Sequence, residues 1–282
     1  MESFKESSAE LVGAEVLNFY RELPFNFGSD IAFQSRGVLD TDPTALHPPL
    51  RKIVDGAKVL EVGSGAGWFS NGLAFHHSAQ CLGIDFNQIA VDRANECAKA
   101  LNLTTKFEVA DLFTFSPQER FPLVVSLGVL HHTGNLHLAI RRVVEFFMDT
   151  YGFLYLGLYH LYGRRPFLEH FANLRESGST VESLEAEFLR LYGHSNDSVH
   201  LKSWFRDQVL HPHETQHTYS EIRLLLESLG LEVLATSLNR FRKIKSHKKI
   251  ERDEVECEHT SRLALQAGRY YPGYFTVLAQ KT

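Results

Sequence analysis

The stretch Lys58-Val-Leu-Glu-Val-Gly-Ser-Gly-Ala-Gly67 decides the fold of this chain. Its apolar, β-branched residues before the first glycine are typical of a buried strand. Three glycines then mark a tight turn, and Trp68 opens an amphipathic segment that we interpret as a helix. Glycine lets the backbone adopt positive φ and approach a ligand, and open α/β sheets bind ligands at the carboxyl ends of their strands. We therefore predict a strand, turn and helix that cradle a nucleoside-bearing ligand.

The spelling of the turn restricts the kind of ligand. A dinucleotide fingerprint, G-x-G-x-x-G, would place its third glycine at position 68, which is occupied by Trp68. The carboxylate of Glu61, two residues before the first glycine, suits a positively charged ligand and would repel a pyrophosphate. A glycine-rich turn without a ligand is the alternative. The residues at the ends of the neighbouring strands distinguish the two interpretations.

Two further predicted strands end in acids. The segment Cys81-Leu-Gly-Ile-Asp-Phe86 places Asp85 at the tip of the second strand, where a carboxylate can accept both ribose hydroxyls. Phe86 beside it can pack on an adenine ring. Asp85 could instead cap the next helix, although Asn87 is the better cap. The third strand, Lys106-Phe-Glu-Val-Ala-Asp-Leu112, ends at Asp111.

A fourth segment completes the series: Phe121-Pro-Leu-Val-Val-Ser-Leu-Gly-Val-Leu-His-His-Thr133. In this order and at this spacing, the four segments resemble the motifs of class I S-adenosylmethionine-dependent methyltransferases of the small-molecule type. Pro122 replaces the usual acid of the fourth motif, which is not a ligand in that family. The resemblance is strong from Lys58 to about His160 and weaker elsewhere.

The resemblance implies an α/β fold with a Rossmann-like, seven-stranded, mostly parallel sheet in the order 3-2-1-4-5-7-6. The last strand is then antiparallel, and helices flank the sheet. It also implies S-adenosyl-L-methionine as cofactor, with a positively charged sulfonium and ammonium group. The implied cofactor residues are, for the methionine end, Glu61, Gly63 and Gly65, with Ser64 in the same turn; for the ribose, Asp85; for the adenine, Phe86, Asp111 and Leu112; and for the sulfonium arm, Leu127.

Composition narrows the class of protein further. The 282 residues, 44% of them hydrophobic, are enough for one domain with additions. A net charge of −5 argues against a nucleic-acid partner, which usually requires a basic surface. Three scattered cysteines indicate neither a disulfide framework nor a zinc site. We see no signal peptide and no apolar run long enough to span a membrane, and we expect a cytoplasmic protein.

The chain divides into a core and two additions. Residues 1–57 form an N-terminal helical arm, with a helix expected around 44–55, and the core comprises 58–160 and 220–282. Residues 161–219 form an inserted segment far longer than an ordinary connection. We interpret this insertion as a helical lid that defines the acceptor pocket, the alternative being a surface decoration or dimer contact. The arm either folds over the cofactor and walls this pocket or merely packs on the domain.

Four histidines are candidate general bases, because an imidazole titrates near neutral pH. His132 and His160 follow predicted strands at the catalytic edge, whereas His213 and His217 belong to the insertion. The alternative is that they bond loop carbonyls. The latter two also spell H-E-x-x-H, which binds zinc on a helix. Pro212 precedes this motif and the next helix is predicted to start near 220, so we expect no metal.

The combined prediction is methyl transfer to oxygen or nitrogen of a small organic acceptor by in-line displacement, with a histidine as the candidate base. Methylation of RNA or protein and a non-catalytic cofactor-binding module are the alternatives. The basic run 240–252 indicates a solvated loop. The alternative is that it binds an anionic acceptor.

Overall fold

The computed structural model describes residues 2–193 and 195–282, with side chains from Leu11 onward. Its centre is one seven-stranded sheet in the order β3-β2-β1-β4-β5-β7-β6. Strand β7 runs antiparallel to both of its neighbours, and the other pairs are parallel. The predicted fold and strand order are therefore confirmed. The strands are β1 (Lys58–Val62), β2 (Gln80–Asp85), β3 (Lys106–Val109), β4 (Phe121–Leu127), β5 (Met148–Tyr159), β6 (Leu231–Thr236) and β7 (Tyr274–Lys281).

Helices cover both faces of the sheet, and each face has its own apolar cluster. Central strands such as β4 are buried on both faces, which is why they are nearly continuous apolar runs. Among the described helices, none is both long enough and apolar enough to cross a bilayer. The helices are α1 (Glu2–Glu22), α2 (Ile31–Asp40), α3 (Pro43–Leu46), α4 (Trp68–His77), α5 (Gln88–Ala100), α6 (Leu136–Arg142), α7 (Leu161–Glu176), α8 (Val181–Tyr192), α9 (Ser198–Phe205), α10 (Tyr219–Ser228), α11 (His247–Asp253) and α12 (Glu256–Gln266).

The arm differs from its prediction in one place. Instead of one helix around 44–55, the chain forms the short helix α3 followed by a 3₁₀ turn, Pro48–Lys52. Pro48 disfavours the helical conformation at the preceding residue, and two consecutive prolines remove two backbone donors. His47 accordingly leaves helical geometry, with φ −124° and ψ 65°. The break lets the chain turn from α2 towards β1.

The insertion is helical and has its own small core. Helices α7, α8 and α9 bury an aromatic cluster that includes Phe167, Phe188 and Phe205, and Tyr270 packs against it from the C-terminal segment. A π-helical turn, Arg206–Leu210, follows α9. The chain then continues without a helix to His217, which forms an isolated bridge with His160. The H-E-x-x-H residues are therefore not on a helix, in agreement with the sequence prediction.

Candidate cofactor and acceptor site

The glycine turn after β1 is built so that only glycine fits at its first position. Gly63 has a φ of +76°, and a Cβ there would lie 2.3 Å from Cγ2 of Val129. Gly65 has a φ of +51°, but a Cβ there would face open space. The amides of Gly63 and Ser64 both donate to the Ile84 carbonyl, at 2.8 and 3.0 Å, which joins the turn to β2. The backbone at Gly65 is thus open to a ligand.

Two polar side chains line the turn. Glu61 is only 5% exposed, and its carboxylate accepts hydrogen bonds from the hydroxyl and the amide of Ser70, at 2.5 and 3.2 Å. Burial raises the pKa of Glu61 to about 8. The Ser64 hydroxyl is buried without a hydrogen-bond partner in the described part of the chain. Because buried polar groups are usually bonded, this orphaned hydroxyl indicates a site for a polar ligand group.

Asp85 is held at the end of β2 by backbone donors. Its two carboxylate oxygens accept from the amides of Gly65 and Asn87, each at 2.9 Å. The Asn87 side chain bonds the amide of Ile89 and so caps α5, as the sequence predicts for this residue. Asp85 is therefore not needed as the cap. Burial raises the pKa of its carboxyl.

The predicted adenine residues lie at the adjacent strand ends. Asp111 is exposed and accepts from the amide of Phe113 at 2.7 Å. The side chain of Leu112 belongs to the main core, and its carbonyl accepts from Nε of Arg142 at 2.7 Å. Phe86 is half-buried directly after β2. Asp111 is thus held by a backbone hydrogen bond, and Leu112 by core contacts and by Arg142.

A cavity of about 1060 Å³ extends from the glycine turn into the space between the arm and the insertion. Its lining includes part of the predicted cofactor set, namely Glu61, Gly63, Ser64, Gly65 and Leu127. The other predicted cofactor residues lie outside this lining, at the ends of β2 and after β3: Asp85, Phe86, Asp111 and Leu112.

The far wall of the cavity joins segments that are distant in sequence. Side chains of the arm and the insertion bond across it, at distances of 2.5, 2.6 and 3.2 Å, in the pairs Tyr20–Asp207, Ser29–Asp197 and Asn26–Trp204. Helix α1 also contacts the core, because the side chain of Asn87 donates to the Tyr20 carbonyl at 2.7 Å. The arm and the insertion therefore close the cavity together.

Two of the four candidate bases are engaged on both ring nitrogens. His160 is 1% exposed, lies 2.8 Å from a carboxylate oxygen of Glu254 through Nε2, and accepts from the Gly163 amide through Nδ1. His217 bonds Glu221 through Nδ1 and Thr215 through Nε2. The His160–Glu254 contact joins the end of β5 to the residues between α11 and α12. The His217–Glu221 contact joins the end of the insertion to α10.

The other two histidines lie near each other. His213 approaches the Thr133 carbonyl through Nε2, at 3.3 Å, and its own carbonyl is bonded by Nδ1 of His132 at 2.8 Å. Burial lowers the pKa of His132, so its ring is neutral and its Nδ1 carries the proton. The lining of the cavity includes none of the four histidines, as far as the structure describes the chain.

A cluster behind the cavity wall brings together donor atoms of His132, Asp207 and His211, all within 4.8 Å of one another. The two imidazoles are nearly stacked, with centroids 3.8 Å apart and planes tilted by 32°. In addition, Nδ1 of His211 accepts from the His213 amide, so its Nε2 carries the proton. The described residues supply no hydrogen-bond partner for this Nε2 of His211, and the three side chains lie together without hydrogen bonds to one another in the described structure.

Several cavity residues received no role from sequence reasoning: Tyr159, Asp197, Trp204, Asp207 and Tyr274. The sequence feature that could have indicated some of these residues is the mixture of aromatic and acidic side chains in the segment 204–208. Position 157 shows why sequence could not place Tyr274. A Cβ on Gly157 would lie 1.6 Å from the Tyr274 hydroxyl, so only glycine lets this ring lie across β5.

Solved structures with a similar fold include methyltransferases. Magnesium protoporphyrin IX methyltransferase (ChlM) from Synechocystis PCC 6803, with bound SAH, is 17% identical at a TM-score of 0.51, covering 87% of this chain and 83% of that chain. A putative sarcosine dimethylglycine methyltransferase from Galdieria sulphuraria is 12% identical at 0.53, covering 86% of each. The [4+2]-cyclase SpnF is 17% identical at 0.51, covering 84% and 79%. At these identities the likeness shows the fold alone.

No curated protein sequence matches the chain significantly. A family model described as a methyltransferase domain, by contrast, matches residues 53–238, which is more than half of the 282 residues. The matched range contains the glycine turn, the acid-ended strands and the insertion. The chain therefore belongs to the methyltransferase domain family, whose enzymes use S-adenosylmethionine as cofactor.

Proposed function

We propose that this enzyme transfers a methyl group from S-adenosylmethionine to oxygen or nitrogen of a small organic acceptor held in the cavity. The observation that supports this most is the continuity of the cavity, which runs from the glycine turn to Trp204 and Tyr274. Its volume of about 1060 Å³ is at the upper end of the range for ligand pockets. One space can therefore hold the methionine end of the cofactor and an acceptor side by side.

The residues at the turn fit the methionine end of the cofactor. The buried Ser64 hydroxyl lacks a partner among the described residues, and Gly65 leaves the backbone open. Glu61 supplies a carboxylate for the ammonium group. Because a nearby cation favours the charged form of a carboxyl, binding would shift Glu61 from its partly protonated state to the carboxylate.

The adenosine end would lie along the ends of β2 and β3. The two backbone amides that bond Asp85 fix its carboxylate, and each oxygen keeps a lone pair for a ribose hydroxyl. Phe86, Asp111 and the Leu112 amide would then surround the adenine. The Leu127 backbone, which lines the cavity, would lie near the sulfonium arm.

The cofactor, when bound, supplies an already activated methyl carbon, so the chain's main task is to align the acceptor and exclude water. The aromatic walls and the arm–insertion contacts serve that task. If the acceptor needs a base, His132 is the best placed of the four histidines, because it adjoins Asp207, which lines the cavity. His160 and His217 would act as positioning residues through their partners.

A small acceptor is favoured over RNA. In the described structure, no residue of the basic run 240–252 lines the cavity. This run lies between β6 and α12 and includes α11, which packs on α10. A nucleic acid bound there would be away from the methyl-transfer site.

Calorimetry with S-adenosylhomocysteine and with NADH tests the cofactor, and transfer of tritiated methyl groups to small-molecule and macromolecular fractions of a cell extract tests the acceptor. We expect binding of the first ligand alone and label in the small-molecule fraction. Label confined to RNA or protein would contradict the proposal, and tight cofactor binding without transfer would favour a non-catalytic module.

The base is tested by replacing His132, His160, His213 and His217 singly by Gln. We expect His132→Gln to lower turnover, and His160→Gln to lower thermal stability with little effect on cofactor affinity. Full turnover in all four variants would rule out a histidine base.

A further inference from the structure

The charges on the cavity wall are one-sided. Its buried acidic side chains, within the part of the chain that the structure describes, are Glu61, Asp197 and Asp207. The exposed rim carries the lining's one described guanidinium, that of Arg36, together with further acids such as Asp40. Glu61 belongs to the turn, whereas the two aspartates lie on the far wall. That wall consequently carries buried negative charge.

The Asp207 carboxylate is bonded by neutral donors. It accepts from the Tyr20 hydroxyl at 2.5 Å, from Nε2 of Gln208 at 2.7 Å and from the Tyr159 hydroxyl at 3.5 Å. The adjacent His132 is neutral, because burial lowers its pKa. Burial likewise raises the pKa of Asp207 itself, as expected for a carboxylate without a full counter-charge.

Besides His132, the basic side chain that acts on Asp207 is Arg164, whose guanidinium is already paired. It influences Asp207 electrostatically, but its guanidinium bonds the Glu214 carboxylate at 2.8 Å and the Gln208 carbonyl at 2.8 Å. Asp197 accepts from the amide and hydroxyl of Ser29 and, as the N-cap of α9, from the amide of His200, and it has no cation within ion-pair distance among the described residues. Buried carboxylates are normally paired with a cation.

Aromatic rings surround the same part of the cavity. Phe25 and Trp204 lie with their ring centroids 4.8 Å apart, and Phe33 and His200 lie at 5.2 Å. Aromatic faces bind organic cations by cation–π attraction and also accommodate the apolar part of a ligand. Asp207 itself lies in the π-helical turn after α9, a geometry frequent at functional sites.

We propose that the acceptor is an organic amine that enters as a cation, with its ammonium group against Asp207 and its apolar part against Trp204 and Phe25. This proposal rests on the proposed function, since it names the substrate class of that site. It also assigns the basic run 240–252 no role in acceptor binding.

The reaction balances on this basis. The ammonium nitrogen gives one proton to the Asp207 carboxylate and so frees its electron pair. That pair forms the bond to the methyl carbon while the carbon–sulfur bond breaks, and sulfur keeps the electrons of the broken bond. The products are S-adenosylhomocysteine and a methylated ammonium, and the proton on Asp207 passes to solvent.

The test compares three ligands with one skeleton: phenylpropylamine, phenylpropanol and phenylpropionate. Calorimetry measures each with the wild-type protein, both alone and saturated with S-adenosylhomocysteine. We expect the amine to bind about tenfold tighter than the alcohol, and the carboxylate to bind weakest. Equal binding of the three, preference for the carboxylate, or no binding of the amine would overturn the proposal.

The variants assign the effect to a residue. Asp207→Asn keeps the size of the side chain, and we expect it to reduce the amine preference about tenfold, whereas the rim variant Asp40→Asn changes it less than twofold. We expect Asp197→Asn to reduce the amine preference by an intermediate amount. This variant replaces Asp207→Asn in the comparison if Asp207→Asn melts far below the wild type. An unchanged amine preference in both buried variants would overturn the assignment.

The two proposals can fail separately. Absence of S-adenosylhomocysteine binding contradicts the proposed function, while the measurements without it still decide the charge preference. Asp207→Asn could weaken the binding of S-adenosylmethionine more than that of S-adenosylhomocysteine, its uncharged thioether product. That result would mean that Asp207 faces the sulfonium, and it would overturn the amine proposal.

Discussion

The two ends of the cavity are constructed differently. At the cofactor end, the lining comes largely from the consecutive residues 61–69, and its shape is set by backbone conformation at Gly63 and Gly65. At the acceptor end, the Tyr20–Asp207 bond joins residues 187 positions apart, and the Asn26–Trp204 bond joins residues 178 apart. The shape of the cofactor end therefore depends on local backbone conformation, whereas the shape of the acceptor end depends on long-range packing.

The largest effect is expected at Gly63. Replacement by Ala would place a residue with a Cβ in the left-handed region of φ and bring that Cβ to 2.3 Å from Val129. We expect the two effects together to destabilise the protein by about 3 kcal/mol and to abolish S-adenosylhomocysteine binding. Chemical denaturation and calorimetry measure the two effects. Gly56→Ala is the control, since it has a φ of +65° but open space around the added carbon. Equal destabilisation by the two variants would contradict the contribution of the clash with Val129.

Asp85→Asn should have the next largest effect. It keeps the side-chain size but weakens hydrogen bonds made by a charged acceptor, so we expect about 2 kcal/mol, or roughly 30-fold, weaker S-adenosylhomocysteine binding. Asp92→Asn, on the exposed face of α5, should leave the affinity unchanged. Retained affinity in Asp85→Asn would remove the ribose role.

Glu61 gives the cofactor end a pH dependence. Its pKa is raised from 4.5 to about 8 by burial, so the free protein holds a proton that a bound ammonium would expel. We expect cofactor affinity to rise by up to about tenfold per pH unit as the pH approaches 8. Calorimetry in buffers of different ionisation enthalpy would detect the released proton. Glu61→Gln should remove both the slope and the release.

The same residue affects stability. The folded state binds this proton more tightly than the unfolded state, so the Glu61 contribution to the free energy of unfolding falls as the pH rises from 4.5 to about 8. Melting temperatures of the wild type and Glu61→Gln should therefore change relative to each other across that window. Glu232→Gln, exposed on the edge strand β6, is the control. Parallel curves for all three proteins would contradict the pKa shift.

The smallest effect tests the acceptor end. Tyr20→Phe removes one hydrogen bond between the arm and Asp207, and we expect about 1 kcal/mol of lost stability and faster proteolysis of the arm. Cofactor affinity should change less than twofold, because the turn is untouched. Tyr151→Phe, at a tyrosine that is 68% exposed, should match the wild type. A large loss of cofactor affinity in Tyr20→Phe would mean that the two ends are coupled.

The predictable part of the molecule is the part with local signals. The glycine turn and the cap at Asn87 follow from short local patterns, because periodicity and backbone conformation are properties of neighbouring residues. The strand order was implied by the resemblance to the methyltransferase family. The helix expected around 44–55 was wrong because the effect of Pro48 and Pro49 outweighed the apolar pattern. The four candidate histidines were assigned to strand ends and to the insertion, but the sequence could not indicate whether their side chains line the cavity, because that depends on long-range packing.

By itself, the sequence determined the methyltransferase fold, the cofactor class and the turn that receives it. Only the tertiary structure decided which polar groups line the acceptor space. It engaged both ring nitrogens of His160 in contacts with Glu254 and Gly163, and it brought Asp207 to the cavity wall. The physical reason is that a glycine turn is dictated by the conformations of its own residues, whereas a charge on a cavity wall depends on which distant segments pack around it.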